Sequence, residues 1–464
     1  MRRSITGPLI LLLIGCLFLW RNLHPELPVF DLVAQYWPFL LIVWGLMRLI
    51  EALLWRNGSG DNRVRGGGFS GGEVVLVIFV CMIGLGAWQA KEFGIHFNPR
   101  GLDIFGEEYN YPVSATAPAA GMKRLVFENS RGNIHVIGGD GQQVTVSGQK
   151  SIRAYGRADA DRASQNTPIE ILPQGDRLVI RTNQDRATGN QRISDDLEVT
   201  VPRGMAVESR GNVGDADVSD IESDVELASN RGDVRISRIG GNARLEIGRS
   251  DNISAVDVKG KIDLEGHGGD LSLENISGPV TVNGSYSGTL EFKNLAKPLQ
   301  FEGMRGTEMH VEAIPGRISM DLSTLTGNGV VGPMRFVARS RDVRLEQFSQ
   351  AVEINTDRGD IELQPGTTPL GTIEARSGVG AIELALPAKA TFQLQATAER
   401  GDAVNEYGPP IDKEVDRRTA TLKGKVGDGP AITLTANHGT VTVRKQGADG
   451  AQPGKSLKDS EVKM

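Results

Sequence analysis

The chain has 464 residues, of which 58 are glycine and only 5% aromatic, with 51 Lys and Arg against 57 Asp and Glu. A net charge of −6, with no basic stripe and no interleaved aromatics, excludes nucleic acid as a partner, and two cysteines exclude a disulfide framework. Glycine well above its usual share of roughly 7% points to many backbone turns around a thin core.

The first ninety residues are apolar. Ile5 to Trp20 carries no charge, Leu32 to Trp55 is interrupted only by Arg48 and Glu51, and Val74 to Ala90 is a third run. Each approaches the ~20 residues a helix needs to cross a bilayer. This predicts membrane helices over about 5–23, 32–55 and 73–90, with Trp20, Trp37, Trp55 and Trp88 at the interfaces. Arg48 and Glu51, three apart on a helix, can pair or reach towards headgroups. Arg2 and Arg3 precede the first span and Arg56, Arg63 and Arg65 follow the second, against Arg21 alone between them. The amino terminus and the 56–73 loop are therefore expected inside, and everything after residue 91 outside. Two other readings of the first span stay open: a cleaved secretory signal, and a lipoprotein box at Leu13-Ile14-Gly15-Cys16. No small-x-small site supports the former, and Leu17-Phe18-Leu19-Trp20 stays apolar where a mature lipoprotein turns polar.

Residues 91–121, with Pro99, Pro112 and Pro118, are expected to be a juxtamembrane linker. Residues 122–205 hold strand-like runs, such as Leu125-Val126-Phe127 and Leu178-Val179-Ile180, separated by longer polar insertions; they predict an irregular β cap. The repetitive β-solenoid is expected over 206–445, and a short phrase recurs after residue 120: Gly, Asp or Asn, apolar, polar, apolar. Its clearest copies place Gly232 and Asp233, and Gly359 and Asp360, at turns, with looser versions at Gly132 and Asn133, Gly269 and Asp270, and Gly439. Asp233, Asn252, Asp270, Thr289 and Thr307 follow at steps of 19, 18, 19 and 18 residues, and Asp342 to Asp360 is again 18. A second alternating run lies between copies, for example Gly278-Pro279-Val280-Thr281-Val282, so each period holds two short strands and two turns. Alternation puts Leu271 and Leu273 on one face and Ser272 and Glu274 on the other. The tail, 446–464, is polar and expected to be disordered.

A meander folded as a sandwich or propeller could use the same strands. Hairpins tolerate variable loops, however, whereas stacked coils must share a circumference. The near-constant step thus predicts an all-β fold, a single-stranded β-solenoid (β-helix) of about 18–19 residues per coil, behind a three-helix transmembrane region. Burying one Val, Ile or Leu is worth roughly 1.5–3 kcal/mol, so a coil is stable only between neighbours.

Two resemblances follow from these residues. Gly7, Pro8 and Gly15, followed by Tyr36, Trp37, Pro38, Trp44 and Gly45, resemble the bacterial LiaI/LiaF-like transmembrane region over about 4–54. The repeated phrase resembles the bacterial adhesin-like β-solenoid domain over about 122–445. The first resemblance implies an envelope-stress protein of the bacterial inner (cytoplasmic) membrane, multi-pass, with the C-terminal domain extracytoplasmic by the charge bias above. LiaF-type proteins restrain a two-component system. Neither family brings a catalytic residue onto this sequence.

The chemistry-bearing residues are sparse. The six histidines (24, 96, 135, 267, 310, 438) are scattered without HExxH spacing, and Cys16 and Cys81 fall in predicted spans. The acidic run Asp215, Asp217, Asp220, Glu222, Asp224 and Glu226 is the best calcium candidate, with a solvated strand face as its alternative. Outward charges such as Arg339, Arg341, Asp342 and Arg344 fit a solvated sheet as well as a polysaccharide-active β-helix. No catalytic, cofactor-binding or metal-ligating residue is assigned. The expected function is non-enzymatic: an anchored solenoid in the lipid bilayer that binds an envelope glycan or protein ligand, or senses the envelope. The alternatives are a LiaF-like regulator acting on a membrane sensor kinase, and a polysaccharide-active enzyme.

Overall fold

The computed structural model describes residues 106–128, 131–187, 191–366 and 368–447, the strands His96–Asn98 and Gly101–Asp103, and the isolated helical positions Ile42, Ile78 and Met82. Apart from those three positions, the predicted membrane spans lie outside the described residues, and so do Gly7, Pro8, Gly15, Tyr36, Trp37, Pro38, Trp44 and Gly45. Among the described residues, no helix is long and apolar enough to cross a membrane. Two compact units divide the chain: residues 1–109, 152–163 and 189–192 form one, and residues 110–151, 164–188 and 193–464 the other. In the first, His96–Asn98 pairs antiparallel with Gly101–Asp103, and Arg153 meets Glu108 at 3.1 Å. Part of the segment expected to be a linker is the strand Glu107–Pro118, where Tyr109, Tyr111, Val113, Ala115 and Ala117 alternate with more exposed residues.

The second unit is a coil with two sides. On one side, Val225–Arg231 pairs parallel with Ala243 onwards, then Ile262, Val280 and Leu299 onwards, always in register. On the other, Val234 stacks on Ile253, Leu271 and Leu290, and Ile236 on Ala255, Leu273 and Phe292. The partner of each residue is 18 or 19 positions away because one lap of chain separates them. Every inward residue in these columns is buried. The inner face holds Leu, Ile, Val and Phe because β-branched and aromatic side chains fit a pleated surface covered on both sides.

The coil does not run in one direction. After Leu299–Glu302 the chain reverses, and Glu308–Met320 retraces a whole lap antiparallel, pairing Leu299 with Val311 and Leu290 with Met320. A second reversal restores the direction, so that Thr324–Asn328 and Val331–Ser340 pair antiparallel with it. Parallel coiling then resumes through Asp342–Phe348, Val352–Arg358, Ile361–Pro365 and Ile373–Val379. Thr307, expected to open the next copy of the phrase, instead closes the first reversing hairpin and is buried, its carbonyl accepting the Gly303 N–H at 2.8 Å. Arg305 (φ 58°) and Gly306 (φ 72°) supply the left-handed turn there. In the second hairpin Asp321 Oδ1 accepts the N–H groups of Ser323 and Thr324, each at 2.7 Å. Arg341 ties both hairpins together, donating to the Asp321 carbonyl at 2.6 Å and to Thr307 Oγ1 at 2.8 Å. Hydrophobic columns are indifferent to strand direction, so the regular step that ends at Thr307 did not itself mark the reversal.

Both ends of the coil are closed in the same way. The first lap, Arg124–Glu128 and Ile134–Gly139, lies between Arg177–Arg181 and Arg192–Pro202 on one side and Ala206–Val213 and Ala216–Ser219 on the other. The last lap, Ala431–His438 and Val441–Lys445, likewise lies between an earlier lap and the outermost one, Phe392–Arg400 and Ala403–Glu406. Antiparallel strands cover the outer laps: Glu170–Gln174 on Arg177–Arg181, and Thr419–Val426 on Phe392–Arg400. An open parallel edge would otherwise template pairing with other chains. Gln446 belongs to this closure, since its side chain donates to the Pro365 carbonyl at 2.7 Å; residues 448–464 lie outside the described residues.

Ion pairs staple the inserted first lap. Arg124 donates to Glu208 at 2.9 Å and Arg181 to Glu128 at 2.6 Å. Burial pushes the Glu208 pKa up, but hydrogen bonds from Arg124 and Arg210 outweigh it and hold the carboxyl below its ordinary value. Its stabilisation is therefore present above the ordinary glutamate range and lost as pH falls through the depressed folded value. Glu208→Gln should cost about 1–3 kcal/mol near neutral pH, and the gap to wild type should close in acid, as read by denaturant melts at several pH values. Leu271→Asp, at a position 1% exposed, should cost several kcal/mol by burying an unpaired charge, whereas Ser272→Asp next to it should be nearly neutral in thermal melts.

Candidate functional site

Each lap crosses between the two sides at two corners, where backbone N–H groups leave the strand ladders and need other acceptors. Asp and Asn supply them from one lap to the next. At the first corner the Asp215 N–H donates to Asn133 Oδ1, the Asp233 N–H to Asp215 Oδ1 and the Asn252 N–H to Asp233 Oδ1, each at 2.9 Å. The Thr289 N–H reaches Asp270 Oδ1 at 2.7 Å; beyond the reversal the Asp360 N–H reaches Asp342 Oδ1 at 2.9 Å and the Ala381 N–H reaches Asp360 Oδ1 at 2.7 Å. The second corner has its own ladder, Asn242 N–H to Asp224 Oδ1 at 2.7 Å and Lys261 N–H to Asn242 Oδ1 at 3.0 Å. Just before that corner a column of left-handed residues stacks: Asp220, Arg238, Asp257, Asn275 and Asn294, with φ between 52° and 61°. Their side chains bond along the column, Arg238 Nε to Asp220 Oδ1 at 2.7 Å and Asn294 Nδ2 to Asn275 Oδ1 at 2.8 Å. The repeat spacing identifies the Asp and Asn positions of the first ladder but not their bonds to the next lap, and it leaves out the other two columns, although Asp and Asn at the same 18–19 spacing were their signal.

The glycine of the phrase lets two laps touch. Gly232 (φ 128°) has no room for a Cβ, which would lie 2.2 Å from the Gly214 carbonyl oxygen. Gly132, Gly359 and Gly439 are the same case, with positive φ and a carbonyl of the neighbouring lap within 2.1 Å of a built Cβ. Gly269 lacks the positive φ, but its Cβ would lie 2.5 Å from the Asp251 carbonyl oxygen. Asn133, Asp233, Asp270 and Asp360 all sit at the first corner, as acceptors in its ladder.

A shallow groove of about 630 Å³ follows this corner over five laps. The ladder residues Asp215, Asp233, Asn252, Asp270 and Thr289 form one wall, and the outward positions Asp217, Arg235, Ser254, Ser272 and Glu291 form its floor. The two reversing hairpins interrupt the corner, and a smaller groove of about 380 Å³ continues past them beside Asp342, Arg344, Asp360, Glu362 and Glu383. The polar wall and floor can donate and accept hydrogen bonds along an extended ligand. His135 Nδ1 closes on Asp217 Oδ2 at 3.4 Å, and Arg317 on Glu291 at 2.9 Å.

The acidic run does not converge. Asp215 and Asp224 accept backbone N–H groups, Asp220 pairs with Arg238 at 2.7 Å, Asp217 faces His135, and Glu226 lies 3.7 Å from Arg124. Among the described residues, no group of three or more His, Cys, Asp or Glu is arranged to hold a metal ion. Asp233→Ala removes an acceptor for both the Asn252 N–H and its Nδ2 and should cost about 1–2 kcal/mol. Asp233→Asn keeps an acceptor oxygen and should recover at least half of that loss in urea unfolding.

The Toastrack DUF4097 family matches residues 122–444, and the LiaF transmembrane domain matches residues 6–98. No curated protein matches. Among solved structures, a candidate cell adhesion protein from Clostridium sporogenes is 6% identical, with 73% of this chain and 100% of that one covered and a TM-score of 0.17. A candidate adhesin from Bacteroides fragilis is 11% identical over 72% of this chain and 97% of its own, with a TM-score of 0.22. Another, from Parabacteroides distasonis, is 10% identical over 73% and 97%, with a TM-score of 0.18. The chain therefore belongs to the Toastrack DUF4097 family and, carrying a LiaF transmembrane domain at its amino end, is a membrane-associated protein of the cell envelope.

Proposed function

We propose that this is a non-enzymatic envelope protein, anchored in the bacterial inner membrane by three helices, whose extracytoplasmic solenoid binds an extended envelope ligand along the first-corner groove. The observation that carries this reading is the repetition of the groove. The same wall and floor positions recur from lap to lap, at the ~4.8 Å spacing of neighbouring strands. A surface of that kind matches a repetitive, extended molecule such as a glycan strand better than a compact one, and its hydroxyl, amide and carboxylate groups suit a hydroxylated polymer.

The LiaF transmembrane match favours a second reading, in which the membrane region contacts a sensor kinase and the solenoid modulates it. Full-length protein in detergent, titrated with purified envelope glycan, separates the two. Ser272→Trp should fill the groove floor and weaken glycan binding by about tenfold or more with melting unchanged. Undetectable glycan binding by the wild type, together with kinase capture by a chain altered only in the groove, would replace the first reading by the second. Shortening of the glycan on incubation would instead show an enzyme. A reporter joined after Met464 should be active only outside the cytoplasm.

A further inference from the structure

A second place in the fold holds chemistry that neither the groove nor the membrane region uses. Lys150, Thr167 and Asp195 are fully buried at the end of the coil where the first lap is inserted, at 1%, 0% and 0% exposure. Lys150 Nζ stands 3.8 Å from Asp195 Oδ1. That oxygen is buried and accepts no hydrogen bond. The other groups are held in place: Lys150 Nζ donates to the Thr167 carbonyl and to Thr167 Oγ1, the latter at 3.1 Å, while Asp195 Oδ2 accepts from Gln184 Nε2 at 2.6 Å. Gln184 is itself clamped on the Arg131 backbone, accepting its N–H at 3.0 Å and donating to its carbonyl at 2.9 Å.

We propose that Lys150 and Asp195 form an intramolecular crosslink, condensing in the folded protein to an amide between Nζ and Cγ with release of one water. Burial lowers the Lys150 pKa against the pull of Asp195, and burial raises the Asp195 pKa against Gln184 and Lys150. A buried, dry pair thus favours the neutral amine and the neutral carboxylic acid, the two forms that condensation requires. The Nζ lone pair attacks Cγ, the N–C bond forms and the C–Oδ1 bond breaks. Oδ1 leaves as water with the acid proton and one amine proton, and the remaining Nζ–H stays on the Thr167 carbonyl. The Gln184 N–H on Oδ2 stabilises the developing oxyanion. Fixed proximity replaces an activating reagent, and exclusion of water opposes the reverse reaction. The bond would join the strand Gln143–Ala154 to Arg192–Pro202, the strand that covers the inserted first lap.

Tryptic digestion and mass spectrometry of the full-length protein tests this. The expected result is a branched peptide joining the segments that contain Lys150 and Asp195, lighter than their sum by one water, with no cleavage after Lys150. Asp195→Ala and Lys150→Met should each abolish it. Gln184→Met, which leaves amine and acid in place, should lower the joined fraction at equal times after refolding. Unjoined Lys150 and Asp195 peptides from folded wild-type protein would overturn the proposal however the variants fold, and so would a joined peptide that persists in Asp195→Ala.

Discussion

An inward side chain of the coil depends for its cover on the laps above and below it. A lap of 18 or 19 residues encloses too little volume for a core of its own, so Leu271 is buried by Ile253 beneath it and Leu290 above it. Each run between corners must therefore keep the register of its neighbours, because a residue gained or lost there would turn the following side chains to the wrong face, whereas the corners absorb the difference between steps of 18, 19 and 21 residues. Glycine at the corners, left-handed residues before the second corner and the Asp and Asn acceptors are the devices that hold this register.

The same constraint shapes the surface. Because the laps are in register inside, they are in register outside, and polar residues fall into columns as regular as the apolar ones. The first-corner ladder and the floor beside it are one consequence. Its carboxylates are mostly engaged with the backbone or with basic neighbours, which gives a wall of oriented acceptors and no converging site. This is why an acidic run that looked like a cation site in the sequence is distributed over a ladder, an ion pair and a strand face.

A stack of this kind has two exposed ends and, in principle, one chain direction. The protein departs from that at three places. One lap runs backwards, Glu308–Met320, and both terminal laps are tucked one layer inside. Antiparallel pairing at the ends turns open edges into closed ones, and tucking the first and last laps prevents the coil from fraying at its termini. Arg341, joining the two reversing hairpins, does for the middle what Arg124 and Arg181 do for the first lap.

Much of this was legible in one dimension. Spacing and alternation determined the all-β class, the lap length and which of Leu271 and Ser272 faces inward, because these depend on short-range periodicity. The glycine of the phrase was also legible, since a turn that brings two backbones into contact excludes a Cβ. Tertiary structure alone decided the reversal at Gly303–Thr307, the insertion of the terminal laps, and the meeting of Lys150 with Asp195. Those depend on which strands pair across long stretches of chain, and hydrogen bonding between strands accepts either direction and many orders while leaving the local pattern of apolar and polar residues unchanged.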